Sequence, residues 1–428
     1  MTGPEKQENP SILKRGWLWF RDIPSKPIAK LRDVGRRAIK VAEEDPRRLI
    51  HSLKVGLTVT LVSLLYYLQP MYDNLGASAI LAVMTVVVVF EFTVGGTIGK
   101  CLNQGLATLA AAALAIGAQH LAILTGKRSE PYLIGLFVFI QAAAMTFVRF
   151  FHNVKAKYDY GVLIFILSFI LVSISGLRMN NVLNLAQARL VTTLIGASTS
   201  LAICILIRPV WAGEDLHKYD HSIITINTGH LYQCFKTSCD AGIEITKPSI
   251  INLDSILVDS KFKEETLADL AGWEPVHGQF MFRHPWKQYL RIGNLTRQCA
   301  CRLEPINGYL NSEFQAPKEI ECTIKEAFTE STKALKELAW AIETMTEPSS
   351  ANPHIESLKI ASRNLKSLLR SGDWGDQSDV LQIIPVAAAM IDTISSVEQI
   401  GDAVKELSFM AKFKSRTAEI PSLSVAID

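Results

Sequence analysis

Ser78–Phe92 reads SAILAVMTVVVVFEF, with no ionisable side chain before Glu91. Such a stretch is either the inside of a soluble helix bundle or part of a membrane span, and its neighbours decide which. To either side the chain repeats the pattern, giving apolar runs at Ser52–Leu68, Ala77–Val94, Leu102–Leu124, Tyr132–Phe150, Gly161–Leu177 and Leu190–Ile207. A transmembrane helix needs about 20 mostly apolar residues. The runs approach that length, and the short connections between them hold nearly all of the charges. A series of spans explains both facts.

The averages conceal two unlike halves. Hydrophobic residues make up 49% of the chain, yet 20% is charged. The sequence therefore predicts an all-α membrane protein, with six transmembrane helices followed by a cytosolic helical domain. Residues 1–50 form a basic, amphipathic N-terminal segment, 51–210 the six-helix membrane domain, and 211–428 a polar helical domain with no run that could span. In the last part apolar residues recur at helical spacing, as in Ile320, Ile324, Phe328, Leu335, Leu338, Ile342 and Met345. The net charge of +3 gives no basic excess for nucleic acid.

Basic residues in the short flanks set orientation. The segment before the first run carries Lys26, Lys30, Arg32, Arg36, Arg37, Lys40, Arg47 and Arg48 among others, while the first loop beyond it, QPMYDNLGA, carries none. This places the N-terminus in the cytosol, and six spans then return the C-terminal half to the same side. Residues 12–40 mix Trp17, Trp19, Phe20, Leu31 and Ile39 with these cations. They read as an interfacial segment, aromatics at headgroup level and cations toward anionic lipid. Asp45 and Pro46 supply an N-cap and a first-turn proline for the first span.

Enzyme chemistry finds no footing. Gly99-Lys100 superficially looks like a phosphate-binding loop, but Val94 stands where the first glycine is required and Cys101 where Ser or Thr is. The cysteines, Cys101, Cys204, Cys234, Cys239, Cys299, Cys301 and Cys322, are odd in number and lack zinc-site spacing. No cofactor and no metal are expected. Gly95 and Gly99 have the spacing that lets transmembrane helices approach closely.

The informative chemistry is charge at the inner ends of the runs: Lys54, Glu91, Lys100, Arg149, Lys155, Lys157 and Asp159. Ionisable groups in a membrane domain are costly and usually face a pathway or a partner. A lysine within a turn of the interface also reaches headgroups by snorkelling, so either reading fits any one residue. As a group the excess is positive, and a ring of cations lowers the barrier for an anion. Glu91 lies at about the depth of Lys54, where a salt bridge or a gating role fits equally well.

Several stretches resemble one plant family, the aluminium-activated malate transporters: DPRRLIHSLKVGLTVTLVSLLYY, AVMTVVVVFEFTVG, KYDYGVLIFIL, PVWAGEDLH and WEPVHGQFMFRHPWKQY. The resemblance covers nearly the whole chain. It implies a homodimer, six membrane helices per subunit, and passive flux of malate and other anions through a basic pore. It places that pore at Lys54, Lys100, Lys155 and Lys157, with Arg149 and Arg189 matching basic positions in spans four and six. Glu91 and Asp159, by their place among these residues, read as gating or salt-bridge acids. One departure stands out. Where the family often carries Asn-Arg-Gly, this chain has Asn103-Gln104-Gly105. The tryptophans of the last stretch read as helix packing. The junctions look more like the plasma-membrane group than the vacuolar one. Two other functions fit the spans: a coupled organic-acid exporter, or a membrane-anchored scaffold whose cytosolic half acts.

Overall fold

The structure is a computed structural model and describes residues 25–67, 79–126, 128–176, 182–239, 253–310, 318–371 and 377–415. Among these, regular structure is helical apart from two isolated bridges, His277 with Phe280 and Thr346 with Lys414. The chain is an all-α membrane protein, with five helices long and apolar enough to cross a bilayer among the described residues. It divides into two compact units. One comprises the described residues up to Phe92 and then Gln104–Ile207; the other comprises Thr93–Asn103 and the described residues from Arg208 onward.

The first unit contains α1 (Ser25–Glu44), α2 (Pro46–Tyr67) and α3 (Ala79–Val89). It also takes most of α4 (Val94–Leu124), then α5 (Glu130–Val148), the short α6 (His152–Lys157), α7 (Asp159–Gly176) and α8 (Val182–Leu206). Helices α2, α3, α4, α5, α7 and α8 overlap the six apolar runs, and of these α4, α5, α7 and α8 are long and apolar enough to cross a bilayer. The start of α2 follows from local chemistry: the Asp45 carboxylate accepts a hydrogen bond from the Arg47 backbone N–H at 3.1 Å, ahead of Pro46. The described part of α3 is only 11 residues, about 16 Å long. It ends in a run of β-branched valines and breaks at Phe90–Thr93.

Packing in this unit is inverted relative to a soluble bundle. Leu53, Leu57, Leu61 and Leu64 form an exposed stripe along α2. Inside, small residues allow close approach: Ala111, Ala112, Ala115 and Ala118 of α4 pack with Phe169 and Val172 of α7 and Ala186 of α8. Helix α3 is flanked by α2 and α8. Gly196 of α8 lies so close to the Ala82 carbonyl and the Thr85 side chain of α3 that a methyl group has no room there.

The second unit is a helical domain of α9 (Ala212–Cys239), α10 (Leu253–Ala271), α11 (Trp286–Leu310), α12 (Lys318–Thr344), α13 (Asn352–Ser371) and α14 (Gln377–Met410). Its core runs from Leu216 and Ile224 of α9, through Tyr289 and Ile292 of α11 and Leu335 and Leu338 of α12, to Leu358 of α13 and Val397 and Val404 of α14. Two sequence expectations are corrected here. The expected polar half does contain a stretch apolar enough to span, Ile383–Met410. Its Val386, Met390, Ile394, Val397, Ile400 and Leu407 are instead consumed by the unit's own core. The segment expected to connect spans two and three is helical from Val94, eight residues before the apolar run begins, because Thr93 caps it: its hydroxyl accepts the Gly96 N–H at 3.1 Å. Gly95 and Gly99 do permit close approach, but to the Leu270 backbone and the Trp273 indole rather than to another span.

Candidate functional site

In the first unit, α2 presents Arg47, His51 and Lys54 at helical spacing on one face. They meet the turn after α3. The His51 ring lies 5.6 Å from Phe90 and 5.5 Å from Phe92, and the Arg47 guanidinium sits 6.0 Å above the Phe92 ring. Lys54 and Glu91 both fall within electrostatic range of His51. Lys54 is 3% exposed and lies within range of Cys204 on α8. A lysine buried to this degree is not snorkelling to a headgroup.

Arg189, also on α8, is 6% exposed, and its Nε has no hydrogen-bond partner. Fifteen residues separate it from Cys204, about 22 Å along the helix. The two buried cations therefore occupy different levels. A polar cluster in the same unit links three helices, and the sequence reading did not assemble it. Tyr160 at the start of α7 is within electrostatic range of the guanidinium, and its hydroxyl donates to the Gln104 side-chain carbonyl. The Gln104 amide in turn donates to Thr85 Oγ at 3.1 Å. Gln104, noted from sequence only as a departure, is 2% exposed and ties α3, α4 and α7 together.

Arg149 and Asp159, assigned separately from sequence, are brought together. Arg149 Nε reaches Asp159 Oδ1 at 2.6 Å and Nη2 reaches Oδ2 at 3.0 Å, a two-pronged ion pair closing the turn from α5 to α7. Lys155 lies within range of that aspartate, and both Lys155 and Lys157 are exposed. Lys100 falls in Thr93–Asn103, the part of α4 that belongs to the second unit, and is half-buried there. Asp73 of the QPMYDNLGA loop, and Arg178, Asn180 and Asn181 between α7 and α8, lie outside the described residues. Glu130 accepts a hydrogen bond from Gln119 at 2.7 Å.

The second unit buries acids. Glu274 accepts hydrogen bonds from the backbone N–H groups of Ala212 at 2.6 Å and Gly213 at 3.0 Å, at the start of α9. It accepts a further one from Gly95 at the start of α4. One carboxylate thus sits on two helix N-termini, where unpaired N–H groups and aligned peptide dipoles favour negative charge. Burial raises its pKa, and these hydrogen bonds oppose the rise. His277 lies 3.7 Å from it and stacks on Trp211 with centroids 3.9 Å apart. Nearby, a cavity of about 290 Å³ is lined by Glu274, His277, Phe280, Arg283, His284 and Trp286. Burial lowers the His284 pKa to about 4, so this histidine is neutral near pH 7.

Deeper in this unit, Asp220 of α9 is 1% exposed and neither of its oxygens has a partner. Glu264 of α10 meets Arg297 of α11 at 2.7 Å through one oxygen while the other is unpartnered. Burial, and then Glu264, push the Asp220 pKa well above the usual carboxylate range. A buried carboxylate near a second one favours holding a proton.

The family model of the aluminium activated malate transporter matches residues 39–374. The chain is 44% identical to aluminum-activated malate transporter 2 of Arabidopsis thaliana over 416 residues, covering 94% of this chain and 82% of that one. It is 41% identical to aluminum-activated malate transporter 1 of Triticum aestivum over 411 residues, covering 90% and 88%. With aluminum-activated malate transporter 10 of Arabidopsis thaliana the identity is 33% over 452 residues, covering 94% and 90%. The match runs through both the buried cations of the first unit and the buried acids of the second, and on it this chain belongs to the aluminium activated malate transporter family.

Proposed function

We propose that the protein is an anion channel that passes malate and other anions across a plant membrane, working as a homodimer. The observation that carries this reading is Arg189: a guanidinium 6% exposed in the membrane unit, with Nε unpartnered. A buried guanidinium keeps its charge, so it needs an anion close by, and a mobile one meets the need. Lys54 supplies a second buried cation at another level of the same unit. The names of the relatives point to malate as the substrate. Lys100, Lys155 and Lys157 complete the basic path in this proposal, with Arg149 held in its Asp159 pair and Glu91 beside the Lys54 station. Both termini face the cytosol, and the membrane is the plasma membrane.

Electrophysiology in a heterologous cell, with malate or chloride as the sole permeant anion, tests the proposal. A channel gives a current whose reversal potential follows the anion gradient. A coupled exporter gives one that also follows the proton gradient, and a scaffold gives none. External aluminium is expected to change the current little. Glu130, at the start of α5, already accepts from Gln119, and a trivalent ion needs several converging oxygens. Steep, saturable activation by the metal would contradict that expectation.

A further inference from the structure

We infer that α1 docks on the anionic surface of the bilayer, with its basic face on lipid headgroups, and that this contact sets the start of α2. The first part rests on the membrane reading of this unit. The second rests on the anion-channel reading and makes lipid charge a control of the current.

The sequence of α1 separates by face. Ile28, Leu31, Val34, Ala38 and Val41 recur at three- and four-residue intervals, while Arg32, Arg36 and Lys40 recur at four between them. A helix with an apolar stripe and a cationic face lies in a membrane interface rather than across it. In the structure that stripe is uncovered. Val34 and Val41, two turns apart on one face, are 61% and 42% exposed. No described residue of α1 joins either core cluster. A 20-residue helix with Gly35 near its middle is marginal alone in water, so a partner must cover the stripe.

The charges say which partner. Over Lys26–Lys40, about 21 Å of helix, every charge but Asp33 is positive. Asp33 meets Arg36 at 3.0 Å, but both side chains are well exposed and such a pair holds little. The cations are strung along the helix rather than gathered about one point. That arrangement fits a sheet of singly charged headgroups, not a pocket for one polyphosphate.

The junction passes the contact on. Asp45 alone lies between α1 and α2. Its N–H donates to the Val41 carbonyl at 3.2 Å, and its own carbonyl accepts the Arg48 N–H at 3.0 Å. Its carboxylate accepts the Arg47 N–H at 3.1 Å and meets the Arg47 and Arg48 guanidinium groups at 3.3 and 3.5 Å. The two helices are braced at one residue instead of joined by a loose loop. The first turns of α2 carry Arg47, His51 and Lys54, so the seating of α1 governs how that face is presented.

Hydrogen exchange of the full-length protein in nanodiscs reads the docking without any current. With about one-third phosphatidylserine in phosphatidylcholine, the amides of α1 are expected to exchange about tenfold more slowly than in phosphatidylcholine alone. Arg36→Gln combined with Arg37→Gln should cut that difference to less than about threefold. Equal exchange in the two lipids overturns the inference and leaves the channel reading intact. Slowing by phosphatidylinositol bisphosphate that phosphatidylserine at equal total charge does not reproduce also overturns it. Malate flux into proteoliposomes of the same two compositions tests the consequence. The charged lipid is expected to raise flux about threefold, against the repulsion of malate by its own surface, and the double variant to lose that gain. Equal flux in both lipids, with α1 protected in the charged one, overturns the control of α2. No malate or chloride flux in either lipid overturns the channel reading, while the exchange result still decides the docking.

Discussion

Among the described residues, the deeply buried charged side chains of the first unit are Lys54 and Arg189, whereas those of the second are Asp220, Glu264 and the Glu274 carboxylate. The signs are opposite, and the compensation differs in kind. In the second unit it is built into the fold: Glu274 takes backbone N–H groups from two helix starts, and Glu264 takes Arg297. Asp220, which has neither, can take up a proton. A guanidinium has no such escape, because it does not release its proton in proteins. Buried acid in the second unit is therefore a matter of fold stability. The buried guanidinium in the first is, on the proposed reading, a standing demand for an anion.

The sharpest way to break this contrast is Arg189→Leu, which removes the buried cation without leaving a polar remnant. Malate current at equal surface abundance is expected to fall by at least about tenfold. Unchanged current would show that Arg189 serves the fold as the buried acids do. Glu274→Ala tests the other side. It strips the acceptor from Ala212, Gly213 and Gly95, and the expected cost is about 2–4 kcal/mol, read as a lower thermal midpoint of the purified protein. Glu274→Gln keeps an acceptor oxygen and should lose less; equal losses would assign the effect to charge against the helix dipoles.

Asp220→Asn sharpens the comparison through pH. The folded-state pKa of Asp220 is raised by burial and by Glu264. The proton-bound form thus stabilises the fold at low pH, and that contribution is lost as pH rises from the ordinary carboxylate range through the raised value. The variant should flatten this decline and unfold at a higher temperature than the parent at neutral pH, with a gain on the order of 1 kcal/mol. A parent whose midpoint does not fall with rising pH would remove Asp220 from the account. The smallest effect is expected at Arg149. Its fork is already closed by Asp159, and both side chains are 34% exposed, so Arg149→Ala should lower malate current by less than about threefold. Removing both partners should restore most of that loss, since the unpaired aspartate is what repels the anion.

The spans and the basic residues were legible in the sequence because both are local: a run of apolar side chains, a lysine one turn inside it. What was not legible is what depends on distant backbone. Glu274 looks like an ordinary acid beside Pro275, and its partners are N–H groups 61 and 62 residues upstream. The first turns of α4 read as a connection because Gly95, Gly96 and Gly99 depress apparent helicity, yet Gly95 and Gly99 are what admit Leu270 and Trp273. Gln104 was visible as a missing cation but not as the link between Thr85 and Tyr160, because a single uncharged amide leaves no periodic signal. The apolar stretch of α14 was missed as a span-length run because its serines and acids break it up. Its true partners lie on helices far away in the chain.

That last helix has a consequence for biosynthesis. Ile383–Met410 is apolar enough to be taken for a span, and α14 is the final helix in the described chain. By the time it leaves the ribosome, α9 to α13 have already been made, and with them the surface that receives Val386, Met390, Ile394 and Val397. Domains fold as the chain is synthesised, N-terminal parts first. The order of helices therefore acts as a safeguard against misinsertion: this stretch, easily mistaken for membrane, appears only after the helices that receive it, and its groove is waiting.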